Sequence, residues 1–232
     1  CKDLPSYKGR DGAAGLIDFP GMLIRAFEAG GWQYHSRVTI WKDPVTEMQR
    51  TKNHGLLHKQ LCKDSSASRQ GMADYLIVFR KWDGEVFPRP VHGPSPKIRF
   101  DSFVGQDGPE DYESARHYSI QVWQRYASPV WFDINQMRVL NGRNSNDTRD
   151  ERHICPLQLD VIARSIELWT NPGDLILSPF AGIGSEGYEA VRLSRRFLGI
   201  ELKESYAKTA IENLQEAEKA KTQGTLFAQV EA

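Results

Sequence analysis

The stretch Asp174-Leu-Ile-Leu-Ser-Pro-Phe-Ala-Gly-Ile-Gly-Ser-Glu-Gly187, followed by Arg196-Phe-Leu-Gly-Ile-Glu-Leu202, restricts this chain more than any other part of it. A short apolar run breaks at a proline and two glycines. After a helix-length interval a second apolar run ends in an acid. Short apolar runs bounded by turn residues are buried strands, and the interval between them fits one helix. Two strands joined by a helix belong to a parallel sheet, whose ligands lie at the carboxyl ends of the strands. Gly182 and Gly184 let the backbone approach such a ligand closely. Glu201, at the end of the second strand, stands where a carboxylate takes two ribose hydroxyls. The fold class read from this is α/β with a nucleotide-like cofactor site. Gly182, Gly184 and Gly187 also satisfy G-x-G-x-x-G, so a dinucleotide site is a rival. The Pro179-Phe180 pair ahead of the first glycine and the late position in the chain speak against it. A plain tight connection is the other alternative, disfavoured by Glu201 and by the His153 segment upstream.

The wider composition sets limits. The 232 residues suffice for one full domain with an appended lobe. Lysine plus arginine equals aspartate plus glutamate at 30 each, so any nucleic-acid surface must be local. No run of about 18 apolar residues and no signal peptide is found, so a soluble chain without membrane contact is expected. The three cysteines, Cys1, Cys62 and Cys155, are scattered, which fits a reducing compartment and neither a disulfide framework nor a zinc site. The six histidines form no H-E-x-x-H or comparable pattern, and metal-free chemistry is expected.

Along the chain, Asp18–Gly30 reads as a helix with Asp18 as N-cap and Pro20 in its first turn. Residues 32–42 and 73–81 read as strands. Residues 46–72 read as a polar, basic loop. Residues 83–115 are rich in Pro, Gly and Asp and read as loop or irregular lobe. Tyr118–Tyr126 fits either a short helix or a strand, and 141–152 reads as a polar connector. A helix (157–169), strand (174–178), helix (185–193), strand (196–201) and final helix (203–220) follow. Four parts result: 1–82 as helix, hairpin and basic loop; 83–150 as lobe and linker; 151–222 as the cofactor-binding half; and 223–232 as a frayed tail.

Ser178-Pro179-Phe180-Ala181-Gly182-Ile183-Gly184-Ser185 resembles the cofactor motif D-P-F-x-G-x-G-T of the DNA amino-methyltransferases, with Ser178 for the usual acid and Ser185 for the usual threonine. These enzymes use S-adenosylmethionine to methylate the exocyclic amine of adenine or cytosine. Glu201 matches the family's ribose-binding acid, and Tyr206 and Asn213 fall in the helix that follows it. His153-Ile-Cys-Pro-Leu-Gln resembles the motif H-P-x-Q-K-P, which precedes the cofactor loop in the β-class order, with Pro156-Leu157-Gln158 where Q-K-P is usual. The resemblance implies a Rossmann-like methyltransferase sheet with a small recognition lobe. It assigns S-adenosylmethionine to His153, Ser178, Pro179, Phe180, Ala181, Gly182, Gly184, Ser185 and Glu201. It also implies DNA as partner and the cytoplasm of a bacterium or phage-infected host as location.

The family's catalytic motif joins an acid, asparagine or serine to Pro-Pro and an aromatic residue. Its polar groups accept hydrogen bonds from the target amine, and its ring stacks on the flipped base. No such motif occurs in this sequence. The near match is Ser128-Pro129-Val130-Trp131, for which Ser128, Pro129 and Trp131 are catalytic candidates and a structural or DNA-facing turn is the alternative. The family order places the motif ahead of Cys1, on strands that belong in the middle of the sheet. An upstream segment or a second chain is therefore expected to complete the sheet, because a central gap leaves backbone unpaired and apolar faces uncovered. Within 46–72, Arg50, Lys52, His58, Lys59, Lys63 and Arg69 are candidates for DNA phosphates, against a solvated loop. A non-catalytic cofactor or specificity part of a split or truncated enzyme, and a methyltransferase of RNA, are the competing functions.

Overall fold

The computed structural model describes residues 4–7, 13–51, 58–64, 71, 73–81, 112–140 and 157–230. The chain forms two compact units, one of Cys1–Pro96 with Ala127–Asp133, the other of Lys97–Tyr126 with Ile134–Ala232.

In the first unit, strands β1 (Leu4–Tyr7) and β2 (Ala13–Ile17) form an antiparallel pair. Helix α1 (Phe19–Ala29) follows, and the Asp18 carboxylate accepts from Gly21 N–H at 2.8 Å as its N-cap. Next come β3 (Trp32–Ile40), α2 (Pro44–Thr51), α3 (His58–Lys63) and β4 (Asp74–Lys81). β3 pairs antiparallel with β4, as expected of a hairpin, with an irregularity between Tyr34 and Ser36. On its other side β3 pairs in parallel with the short β5 (Val130–Trp131). Phe27 of α1 stacks on Phe79 of β4 with ring centres 4.6 Å apart, and its edge meets Trp32. That aromatic contact seats the helix on the sheet. The stretch read as a basic loop is in part helical, since α2 and α3 occupy its described residues.

The second unit holds α4 (Tyr112–Tyr126), α5 (Leu159–Trp169), β6 (Leu175–Ser178), α6 (Ser185–Arg192), β7 (Arg196–Gly199) and α7 (Glu204–Val230). Tyr118–Tyr126, ambiguous in the sequence, is helical. The tail read as frayed continues α7 to Val230. Apolar residues at 159, 162, 163 and 166 make one stripe on α5. Leu159, Ile162 and Ile166 form a core with Ala190 of α6, and Ile176 of β6 and Phe197 of β7 pack against it. β6 and β7 are parallel and in register from Leu175–Arg196 to Ser178–Gly199. One face of this pair meets α5 and α6. On the other, Leu175, Leu177, Leu198 and Ile200 are each about half exposed. Tyr126 of α4 donates to Glu167 of α5 at 2.7 Å, and the Arg164 guanidinium lies over its ring. Among the described residues no helix is long and apolar enough to cross a membrane, and no three potential metal ligands cluster.

Candidate cofactor site

The glycine turn leaves the carboxyl end of β6 and enters α6. Gly182 (φ 53°) and Gly184 (φ 84°) both occupy left-handed backbone that side-chain-bearing residues rarely adopt. They differ in their surroundings. A Cβ at Gly182 would meet nothing within 4 Å, so this part of the turn faces open space. A Cβ at Gly184 would lie 3.0 Å from Ala210 and Leu214 of α7. At Gly187, one turn into α6, it would strike the Phe197 ring at 2.7 Å. The first glycine thus opens the turn, while the second and third allow close packing of α6 against α7 and β7.

Glu201, two residues beyond β7, reaches back to the turn. Its Oε2 accepts from Gly182 N–H at 2.8 Å, and its Oε1 accepts from Lys203 N–H at 2.9 Å. Each carboxylate oxygen has further lone-pair capacity. The expectation placed this acid beside a ligand, and the structure adds that it grips the turn itself. Backbone bonds complete the frame: Ile200 N–H donates to Ser178 O, and Ala181 N–H donates to Ile200 O, both at 2.9 Å. Asn213 Nδ2 of α7 donates to Ile183 O at 2.8 Å. Ser178, Ala181 and Ser185 are buried, Pro179 is exposed, and Phe180 is 86 % exposed beside the open part of the turn. Burial pushes the Glu186 carboxyl in the first turn of α6 above its ordinary value, with its own backbone N–H opposing. An open Gly182, a bare aromatic ring and a carboxylate with spare acceptor capacity fit a nucleoside-bearing ligand. His153 lies outside the described residues.

The remaining sequence candidates are all in the first unit. Pro129 O accepts from Thr39 N–H at 2.9 Å, and Trp131 O from Trp41 N–H at 3.1 Å. Trp131 is 1 % exposed, and Ser128 Oγ bonds within its own turn, to Val130. The carbonyls of Pro129 and Trp131 are thus engaged in pairing with β3, and the Trp131 ring is packed inside. His58, Lys59 and Lys63 lie exposed on α3. Arg50 belongs to α2, while Lys52 and Arg69 fall outside the described residues. Asn213, Gly199 and Arg195 were not singled out as candidates from the sequence. A Cβ at Gly199 would lie 2.9 Å from Ala181. Arg195 bridges the chain after α5 to the end of α6 through Thr170 O and Leu193 O, both at 2.7 Å. Only Gly199, inside Phe197-Leu-Gly-Ile-Glu201, carried a local signal.

The β6–α6–β7 unit with its glycine turn is that of the α/β methylases. TTHA0409 of Thermus thermophilus, crystallised in complex with S-adenosyl-L-methionine, shares the fold with a TM-score of 0.57 over 93 % of this chain and 66 % of that one, at 18 % identity. The chain belongs to the N6/N4 DNA methylase family, whose model, described as DNA methylase, matches residues 18–212. It is similar to the DNA adenine methyltransferase YhdJ of Escherichia coli, 39 % identical over 91 residues, which is 39 % of this chain and 29 % of that protein. It is also similar to the type II methyltransferase M.BglII of Bacillus subtilis, 30 % identical over 110 residues, which is 41 % of this chain and 31 % of that protein. These matches span about a third or less of the curated relatives' lengths.

Proposed function

We propose that the chain contributes the cofactor-binding part of an S-adenosylmethionine-dependent enzyme that methylates the exocyclic amine of adenine or cytosine in DNA. The glycine turn carries this reading. Its open Gly182, bordered by Phe180 and Glu201, lies in a chain of the N6/N4 DNA methylase family. In this reading Glu201 turns its free lone pairs to the ribose hydroxyls, and Phe180 covers the adenine. Gly182 and Gly184 set the backbone, flanked by Ser178, Pro179, Ala181 and Ser185, and His153 adds a contact by its resemblance to the family motif. S-adenosylmethionine held by Glu201, Phe180 and the Gly182–Gly184 backbone would supply an electrophilic methyl group on a sulfonium for the target amine. The protein's own part is to orient the reactants and exclude water.

A further segment, upstream in the same polypeptide or on a second chain, carries the polar–Pro–Pro–aromatic motif and covers the open face of the β6–β7 pair. The half-exposed Leu175, Leu177, Leu198 and Ile200 support this, because parallel sheets are ordinarily covered on both faces. Lys59 and Lys63, with His58 and with Arg50, Lys52 and Arg69 of the same basic stretch of sequence, take DNA phosphates. The engagement of Ser128–Trp131 in the sheet favours a second reading in which this chain alone binds cofactor without turning over.

Calorimetric titration with S-adenosylmethionine and methyl transfer to DNA, each with and without the completing segment, test both readings. The first expects binding weakened about a hundredfold by Glu201→Ala, since two ribose bonds to a charged acceptor are lost, and turnover on completion. Binding without turnover in the completed protein selects the second. An absence of binding in the completed protein overturns both.

A further inference from the structure

We infer that Asn213 and Glu201 form a two-point clamp that holds the glycine turn in its ligand-binding shape before any ligand arrives, with Asn213 a positioning residue. The inference rests on the cofactor reading above and extends it to residues outside the turn. The turn places two left-handed glycines on either side of Ile183, and glycine loses more backbone freedom on ordering than any other residue. An untethered turn of this kind would sample many shapes and bind weakly, because ligand binding would also have to order it. Here successive backbone groups are tied. Ala181 N–H goes to Ile200 O, Gly182 N–H to Glu201 Oε2, Ile183 O takes Asn213 Nδ2, and Gly184 N–H goes to Ala181 O. Two of the four ties come from side chains, one after β7 and one on α7, so both elements hold the turn.

Asn213 is half-buried, and Ile183 is 3 % exposed. Removing the amide would leave a carbonyl in largely dry surroundings without that donor. Close packing of α6 on α7 through Gly184 and Gly187 keeps Asn213 within reach. The clamp therefore depends on the same glycines that shape the turn.

The test uses the 232-residue chain without ligand. Amide hydrogen exchange at Gly182 and Gly184 is measured by nuclear magnetic resonance in the parent, in Asn213→Asp, which keeps the shape and loses the donor, and in Asn213→Leu. Binding of S-adenosylmethionine is then titrated in each. We expect exchange to quicken about tenfold in both variants and the Kd to rise by a similar factor, the size of one lost buried hydrogen bond. Unchanged exchange in both variants overturns the clamp, even if affinity falls, and points to Asn213 touching the ligand instead. Faster exchange with an unchanged Kd overturns its bearing on binding. A parent that binds no cofactor, with exchange quickened in the variants, leaves the clamp standing, and the cofactor reading is then decided by titration of the completed protein.

Discussion

The glycine turn of the second unit and the Ser128–Trp131 segment of the first both carry a proline, a serine and an aromatic ring, yet their surroundings treat them in opposite ways. The turn is held by groups 19 and 30 residues away in sequence, and it leaves Phe180 out in solvent and Gly182 facing open space. The segment is held by Thr39 and Trp41, far earlier in the chain, and it swallows Trp131. Proline, serine and an aromatic residue therefore do not define a site by themselves. What separates the two is whether the surrounding fold leaves the ring and the backbone available.

Trp131→Ala makes the sharpest break in this contrast. Emptying so buried a position should destabilise the first unit by about 3–5 kcal/mol, seen as a lowered unfolding transition, while cofactor titration in the second unit stays as it was. An unchanged melt with methyl transfer abolished would instead give the tryptophan a chemical role. Gly187→Ala probes the other side. Its new Cβ meets the Phe197 ring and Leu214, so overpacking should cost about 1–3 kcal/mol in the second unit alone. Equal loss in both units would show that they unfold together.

Glu186→Gln should act with pH. The carboxyl's value is raised in the folded state by burial, so the folded protein binds its proton more readily than the unfolded chain. The charged form therefore weighs against folding above the raised value, and that handicap fades as pH falls through it. The glutamine variant should melt higher than the parent at about pH 8 and match it near about pH 4. A constant difference across that range would assign the effect to packing. The smallest change is expected at Ser194, which holds φ 65° without being glycine. Ser194→Gly should gain about 1 kcal/mol, or roughly 2–4 °C, and a loss there would mean the serine side chain is needed.

Most of the second unit was legible in the sequence because its signals are local. The apolar runs 175–177 and 197–200, the stripe on α5 and the glycine turn each declare themselves within a dozen residues. The role of Glu201 was visible only in part. Its place after a strand pointed to a ligand, whereas its grip on Gly182 N–H depends on how the next helix folds back. Asn213 lay deeper still, since an asparagine in a polar helix carries no sign of the carbonyl it will meet. In the first unit β3, β4 and α1 with its Asp18 cap could be read, whereas the β1–β2 pair went unread. The helices α2 and α3 were obscured by charged residues that satisfy a loop pattern equally well. The partnership of β3 with β5 could not be read, because two residues of strand at 130–131 give no periodicity and the pairing spans most of the unit.

The length of α7 has a practical consequence. With 27 residues at about 1.5 Å each, the helix extends roughly 40 Å. Its first half, around Ala210, Asn213 and Leu214, is tied to the turn, and its far end at Val230 is several turns beyond. A dye or affinity handle attached toward that end would be remote along the helix from Glu201 and would report on the protein without crowding the turn.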